Sequence, residues 1–243
     1  MMKHITYRSK DIQIKFDKVS GRLNEIIYKE YVLDMDSHVW KLSVKKGRNI
    51  NEVTINDSMD FYYESNDTSL NLYWGSDDYR VKVTLSEEDC KVKWCIDVES
   101  LKKENGIYKV IFPIFGRIKV ISPGGVNDYL VLPWQNGFLI KNPLKTFLDK
   151  ADDIPFWAGR GGYKYENEYP AQYSFQFSAY YSPDKFGYYF STEDGDAHIK
   201  TMGFYYNKES GGFDFAITNY LENMGEANIY IILYQLMCSH HLN

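Results

Sequence analysis

Three stretches of the chain gather residue types that could do chemistry. The first is Glu193-Asp194-Gly195-Asp196 followed by His198. Two carboxylates can share acid and base roles when their separation suits a scissile bond, and a sequence gives no separation. Asp and Gly also supply the positive backbone angles of a tight hairpin. A turn is therefore the preferred reading, with a polar contact to a ligand at a sheet rim as the alternative. The oxygen-ligand spacing and flanking helices of a helix-loop-helix calcium site are missing.

The second stretch, Leu132-Pro133-Trp134-Gln135-Asn136-Gly137-Phe138, sets a ring that should be exposed beside two side-chain amides, which is how a sugar site is furnished. The third adds Trp157, Arg160, Tyr163 and Tyr165. Trp134, Asn136, Trp157, Arg160 and Tyr165 are accordingly the candidate saccharide contacts. Each ring taken singly suits the core better than a ligand contact, because a Trp beside Pro at a strand end is more often a plug over the end of a sandwich.

Other chemistries find no support. There is no Gly-x-Ser-x-Gly elbow, no phosphate loop ending Gly-Lys-Ser/Thr and no His-Glu-x-x-His. Gly159, Gly161 and Gly162 imitate a phosphate loop without the strand and helix that should flank it. Cys90 and Cys95 fall on opposite faces of one alternating segment and cannot bridge without distortion. Cys238, His240 and His241 have metal-ligand chemistry but no matching pair elsewhere. No catalytic residue, metal or cofactor is assigned.

The elements that must position these residues are strands. Ile12, Ile14 and Phe16 alternate with Gln13, Lys15 and Asp17, the turn Val19-Ser20-Gly21-Arg22 follows, and Leu23 to Tyr28 returns. Further strands are predicted at Trp40–Val44, Leu70–Trp74, Tyr79–Leu85, Lys91–Val98, Tyr108–Phe112, Arg117–Ile121 and Tyr129–Leu132. Several stop at Pro113, Pro123 or Pro133. Residues 138–170 show no clean period and read as a long irregular excursion, with a short helix over Leu144–Ala151 as the alternative. Strands resume at Ser174–Tyr181, Phe186–Thr192, His198–Tyr205, Gly212–Thr218 and Asn228–Tyr234. Short strands about ten residues apart predict an all-β antiparallel sandwich in one domain over 1–243, with few or no helices.

Composition agrees. The 243 residues carry 44% hydrophobic and 25% charged residues, enough for a sizeable core. Aromatic content is 17%, with 22 Tyr, 14 Phe and 5 Trp, which suits pleated surfaces that are wet on one side. The net charge of -5, with Lys and Arg interleaved among acids, argues against nucleic acid as a partner. No stretch has the roughly 20 apolar residues of a spanning helix, so no membrane partner is expected. Met1 to Arg8 lack the apolar core of a signal peptide, so the expected place is the cytoplasm unless a leader has been trimmed.

The order of several loose motifs carries a resemblance. Tyr169-Pro170 opens a strand pair through Tyr181, a glycine starts the aromatic strand Gly187-Tyr188-Tyr189-Phe190, and an Asp-containing turn precedes Lys200. Earlier come the Phe16-Asp17 to Leu23 hairpin, Val110-Ile111-Phe112-Pro113-Ile114, and Tyr129 through Pro133 to Gly137. In that order they resemble the amino-terminal supersandwich, galactose mutarotase-like, of certain bacterial glycoside hydrolases. The resemblance implies two large antiparallel sheets face to face, followed in the family by a (β/α)8 barrel that holds the catalytic acids. It implies that this chain corresponds to the sandwich without its barrel, non-catalytic by itself, with carbohydrate and a catalytic barrel as partners. The surface where a barrel would pack should then favour self-association. A stand-alone carbohydrate-binding protein and an aldose mutarotase-like epimerase are the alternatives.

Overall fold

A computed structural model describes residues 4–56, 58–89, 91–149 and 164–221, together with the path of one later strand. The strands run β1 (His4–Ser9), β2 (Ile12–Asp17), β3 (Leu23–Tyr28), β4 (Tyr31–Ser37), β5 (Lys41–Lys46), β6 (Asn49–Thr54), β7 (Asp60–Ser65), β8 (Ser69–Gly75), β9 (Tyr79–Glu88) and β10 (Lys91–Ser100). They continue with β11 (Asn105–Ile118), β12 (Tyr129–Leu132), β13 (Phe138–Lys141), β14 (Lys164–Tyr169), β15 (Phe177–Tyr181), β16 (Gly187–Thr192), β17 (Lys200–Asn207), β18 (Gly212–Tyr220) and β19 (Ile229–Ser239). A seven-residue helix, α1 (Pro143–Asp149), and a 3-10 turn at Pro123–Gly125 complete the described elements.

The strands form three sheets rather than the two expected. A nine-stranded sheet runs β13-β12-β15-β16-β19-β10-β9-β8-β7, a six-stranded sheet runs β14-β17-β18-β11-β5-β6, and β1 to β4 form a meander. The strand pairs are antiparallel. Period-2 burial explains why these segments pair as they do: on β10, Val92, Trp94, Ile96 and Val98 are buried, while Lys93, Cys95, Asp97 and Glu99 lie on the other face. A slip of one residue would invert that pattern, so register is strongly fixed.

The core lies where the sheets meet. Trp94 of β10 packs edge-on to Phe115 of β11 at 5.4 Å and meets Phe16 of β2 at 6.0 Å. Phe190 of β16 stacks on Phe215 of β18 at 4.0 Å. All five of these rings are buried, and each such side chain contributes about 1.5–3 kcal/mol by leaving water.

Two expectations need correction. The strand predicted to stop at Pro113 runs through it, because β11 accommodates the missing N–H at a register shift between Ile111 and Ile114. Residues 138–170 also hold regular structure, namely β13, α1 and β14. Beyond Phe112 to Arg117, a buried carboxylate fixes the next turn. Asp128, fully buried, accepts the N–H groups of Ile121 and Ser122, each at 2.8 Å, and the Tyr180 hydroxyl at 2.5 Å.

Candidate functional site

The segment leaving β12 turns sharply at Pro133–Gly137. Gln135 and Gly137 have positive φ of 50° and 93°, and the Gly137 N–H donates to the Trp134 carbonyl at 2.9 Å. The turn is held to the following segment from outside. Gln135 N–H donates to the Gln172 carbonyl at 3.0 Å, Ser174 N–H to the Pro133 carbonyl at 2.8 Å, and Ser174 Oγ to the Gln135 carbonyl at 2.5 Å.

This geometry places Asn136 in solvent and Trp134 beneath it. The Trp134 ring, expected to be exposed, is only 8% accessible and stacks with Phe138 at 4.8 Å. The accessible rings are Phe138, at 39%, and Phe175, at 58%. Phe175 lies 5.9 Å from Phe177, which stacks with Tyr189 at 5.7 Å on the outer face of β15 and β16. Tyr165 is a core residue, 2% accessible, because the alternation of β14 turns it inward against Phe147 of α1 at 4.1 Å. Trp157 and Arg160 lie outside the described residues.

Beside this rim the acidic turn between β16 and β17 is wired into the scaffold. Asp194 accepts the backbone N–H of Asp196 at 3.1 Å and of His198 at 2.8 Å, which is the hairpin reading of those residues. Its carboxylate also meets Lys200 Nζ at 2.5 Å and His198 Nδ1 at 3.1 Å. Lys200 is 1% accessible, and its ammonium donates further to the His198 carbonyl at 2.8 Å and Gln176 Oε1 at 3.1 Å, with the Tyr169 ring 5.0 Å away. Gln176 returns a hydrogen bond to the Asp194 carbonyl at 2.8 Å and also bonds the Thr192 hydroxyl.

Burial opposes the charge on Asp194, but the hydrogen bonds and charges of Lys200 and His198 outweigh it and hold the carboxyl at about 2. One ligand atom each of Asp194, Asp196 and His198 lie within 4.8 Å of one another. The Lys200 ammonium supplies the counter-charge to Asp194, so the cluster locks the loop to the scaffold.

The sequence held one signal for this lock. Alternation along β17 sets Lys200 on the inward face with Met202 and Phe204 and Ile199 on the other, and the structure agrees: Lys200 is buried and Ile199 is 58% accessible. A lysine at an inward position needs a carboxylate close by, and Asp194 is that partner. Phe175 gave no signal, because its exposure is set by the long-range ties of Ser174.

Among the described residues the acid and base beside the rim are Asp194 and His198, and they bond each other within the lock. Among the described residues the histidines have separate settings: His4 bonds Asn24 at 3.0 Å, His198 bonds Asp194, and His38 is half-buried. Burial, then Arg22 and Lys41, lower the pKa of His38. What the rim presents is rings and amides.

No family model matches the chain, and no curated protein matches it. Solved structures do match. The α-N-acetylgalactosaminidase NagBb from Bifidobacterium bifidum, in complex with GalNAc, superposes with a TM-score of 0.64 at 12% identity, over 98% of this chain and 36% of that one. A galactose mutarotase related enzyme from Lactobacillus acidophilus gives a TM-score of 0.59 at 10% identity, over 97% of each chain. The fold is galactose mutarotase-like. A protein assigned as an aldose 1-epimerase from Escherichia coli K12 gives 0.57 at 10% identity, over 97% of this chain and 98% of that one. The chain therefore spans about a third of the length of the galactosaminidase and nearly all of the two mutarotase-like proteins. At these identities the likeness carries the fold alone.

Proposed function

We propose that the chain is a non-catalytic supersandwich module of a carbohydrate-active enzyme, which contacts saccharide at the rim around Asn136, Phe138 and Phe175 and braces a catalytic (β/α)8 barrel. The observation that carries this reading is the Asp194–Lys200–His198 lock. The strongest cluster of titratable groups near the rim is consumed in holding it, and what remains facing solvent is aromatic and amide surface suited to contact. The likeness to the galactosaminidase supports a setting of that kind.

Titration of the labelled chain with N-acetyl-D-galactosamine and D-galactose, followed by amide NMR, tests the contact. Shifts at Asn136 and Phe175 that are lost in Phe175→Ala are expected. Turnover of any aryl glycoside by the chain alone would overturn the non-catalytic part. Free of its barrel, the chain is expected to self-associate, and sedimentation over a concentration series checks that.

The near-complete mutual coverage with the mutarotase related enzyme favours a second reading, an aldose 1-epimerase. Polarimetry on freshly dissolved α-D-galactose separates the two: a mutarotation rate above that of buffer would establish the epimerase.

A further inference from the structure

The outer face of the nine-stranded sheet has a second feature, on the far side of β19 from the rim. Direct cross-strand partners form one row: Tyr62 on β7, Tyr73 on β8, Lys82 on β9 and Asp97 on β10. Tyr62 and Tyr73 stack at 4.4 Å and 8°, and Lys82 Nζ lies 5.8 Å over the other ring, Tyr73. The neighbouring row, two residues along each strand, reads Asp60, Gly75, Arg80 and Glu99, with Arg80 and Glu99 paired at 3.4 Å.

Gly75 breaks that row. A Cβ built there would meet nothing within 4 Å. The missing side chain opens a cleft of about 550 Å³ lined by Tyr73, Gly75, Arg80, Lys82, Asp97 and Glu99. That volume falls among small-molecule sites, which run from about 300 to 1,000 Å³. From β15 to β8 is five strand spacings, about 24 Å, so one monosaccharide cannot fill both this cleft and the rim.

The wall chemistry selects a ligand class. Arg80 and Lys82 on β9 donate, while Asp97 and Glu99 on the adjacent β10 accept, so the cleft presents both signs side by side. An anionic ligand would meet Asp97 and Glu99, and a cationic one would meet Arg80 and Lys82. A neutral polyol satisfies both, because each hydroxyl donates and accepts. Asp97 is half-buried on the cleft wall beside Lys82, its direct cross-strand partner. Tyr73, held between Tyr62 and Lys82, gives the cleft an apolar flank beside these groups.

We infer that the cleft over Gly75 is a binding subsite for a neutral saccharide, walled by Tyr73 and hydrogen-bonded by Lys82, Asp97, Arg80 and Glu99. It is separate from the rim and does not depend on it.

The test is amide NMR on the full chain titrated in turn with D-galactose, N-acetyl-D-galactosamine, D-galacturonate and D-galactosamine. The two neutral sugars should shift the amides of Tyr73 to Gly75 and Arg80 to Lys82, and the two charged ones should bind at least about tenfold more weakly. Gly75→Trp projects a large ring into the cleft from a strand position where a Cβ meets nothing within 4 Å, so it should keep the melting temperature and lose those shifts, while Phe175→Ala should keep them. Absence of shifts at these amides with either neutral sugar, or their survival in Gly75→Trp, overturns the subsite. Shifts at Asn136 and Phe175 without shifts at Tyr73 to Gly75 would overturn the subsite and leave the rim reading standing. The reverse pattern would do the opposite.

Discussion

Lys200 and Asp194 form a pair in which one partner is buried and the other is 20% exposed at its side chain. Removing the exposed partner strands the buried cation, whereas removing the cation lets the carboxylate hydrate. Asp194→Ala is therefore expected to cost about 3 kcal/mol and Lys200→Met about 1 kcal/mol, measured by urea denaturation. The pH dependence follows from the same pair. Asp194 titrates at about 2 when folded, against an ordinary 3.8. Its contribution, about 2 kcal/mol, is complete above pH 4 and is lost as pH falls from about 4 toward 2. Asp194→Asn should flatten that part of the stability profile. At Asp128 the hydroxyl of Tyr180 is one of three donors, so Tyr180→Phe should cost about 1.5–3 kcal/mol by leaving a buried carboxylate short of a partner.

At the scale of elements, legibility tracked one-sided burial. Leu23–Tyr28 and Tyr129–Leu132 appear with the bounds their alternation predicts. The edge strand β7 was missed, since five of its six residues are exposed and no period survives. β14 was missed for a related reason: Lys164, Glu166 and Glu168 read as loop chemistry until β17 pairs with them. The rim was legible as a turn with a ring and amides. Which ring faces water was not, because Trp134 is covered by Phe138, and burial of that kind is decided by packing rather than by neighbours in sequence. Close approach between elements gives a sharper prediction. A Cβ on Gly212 would sit 2.1 Å from the Ile118 carbonyl oxygen, so β18 meets the end of β11 only with glycine there. Gly212→Ala should cost about 1–3 kcal/mol, read as a lower melting temperature.

Taken whole, the molecule spreads its strands over three sheets, in which consecutive strands make most pairings and a few long-range ones join the resulting ribbons. In the nine-stranded sheet β7 to β10 are sequential neighbours, and so are β15 with β16 and β12 with β13. The two groups have no direct bond to each other. β19 pairs with β10 on one side and with β16 on the other.

The position of β19 has a consequence for biogenesis. A ribosome releases the two ribbons of the large sheet long before the strand that zips them together, so until then each carries an open border able to pair with another polypeptide. Assembly must wait on a late, long-range closure, and topologies of that kind mature slowly. A chain cut before Ile229 is expected to show no cooperative thermal transition by calorimetry, and the nascent protein should lean on holdase chaperones until the zip closes.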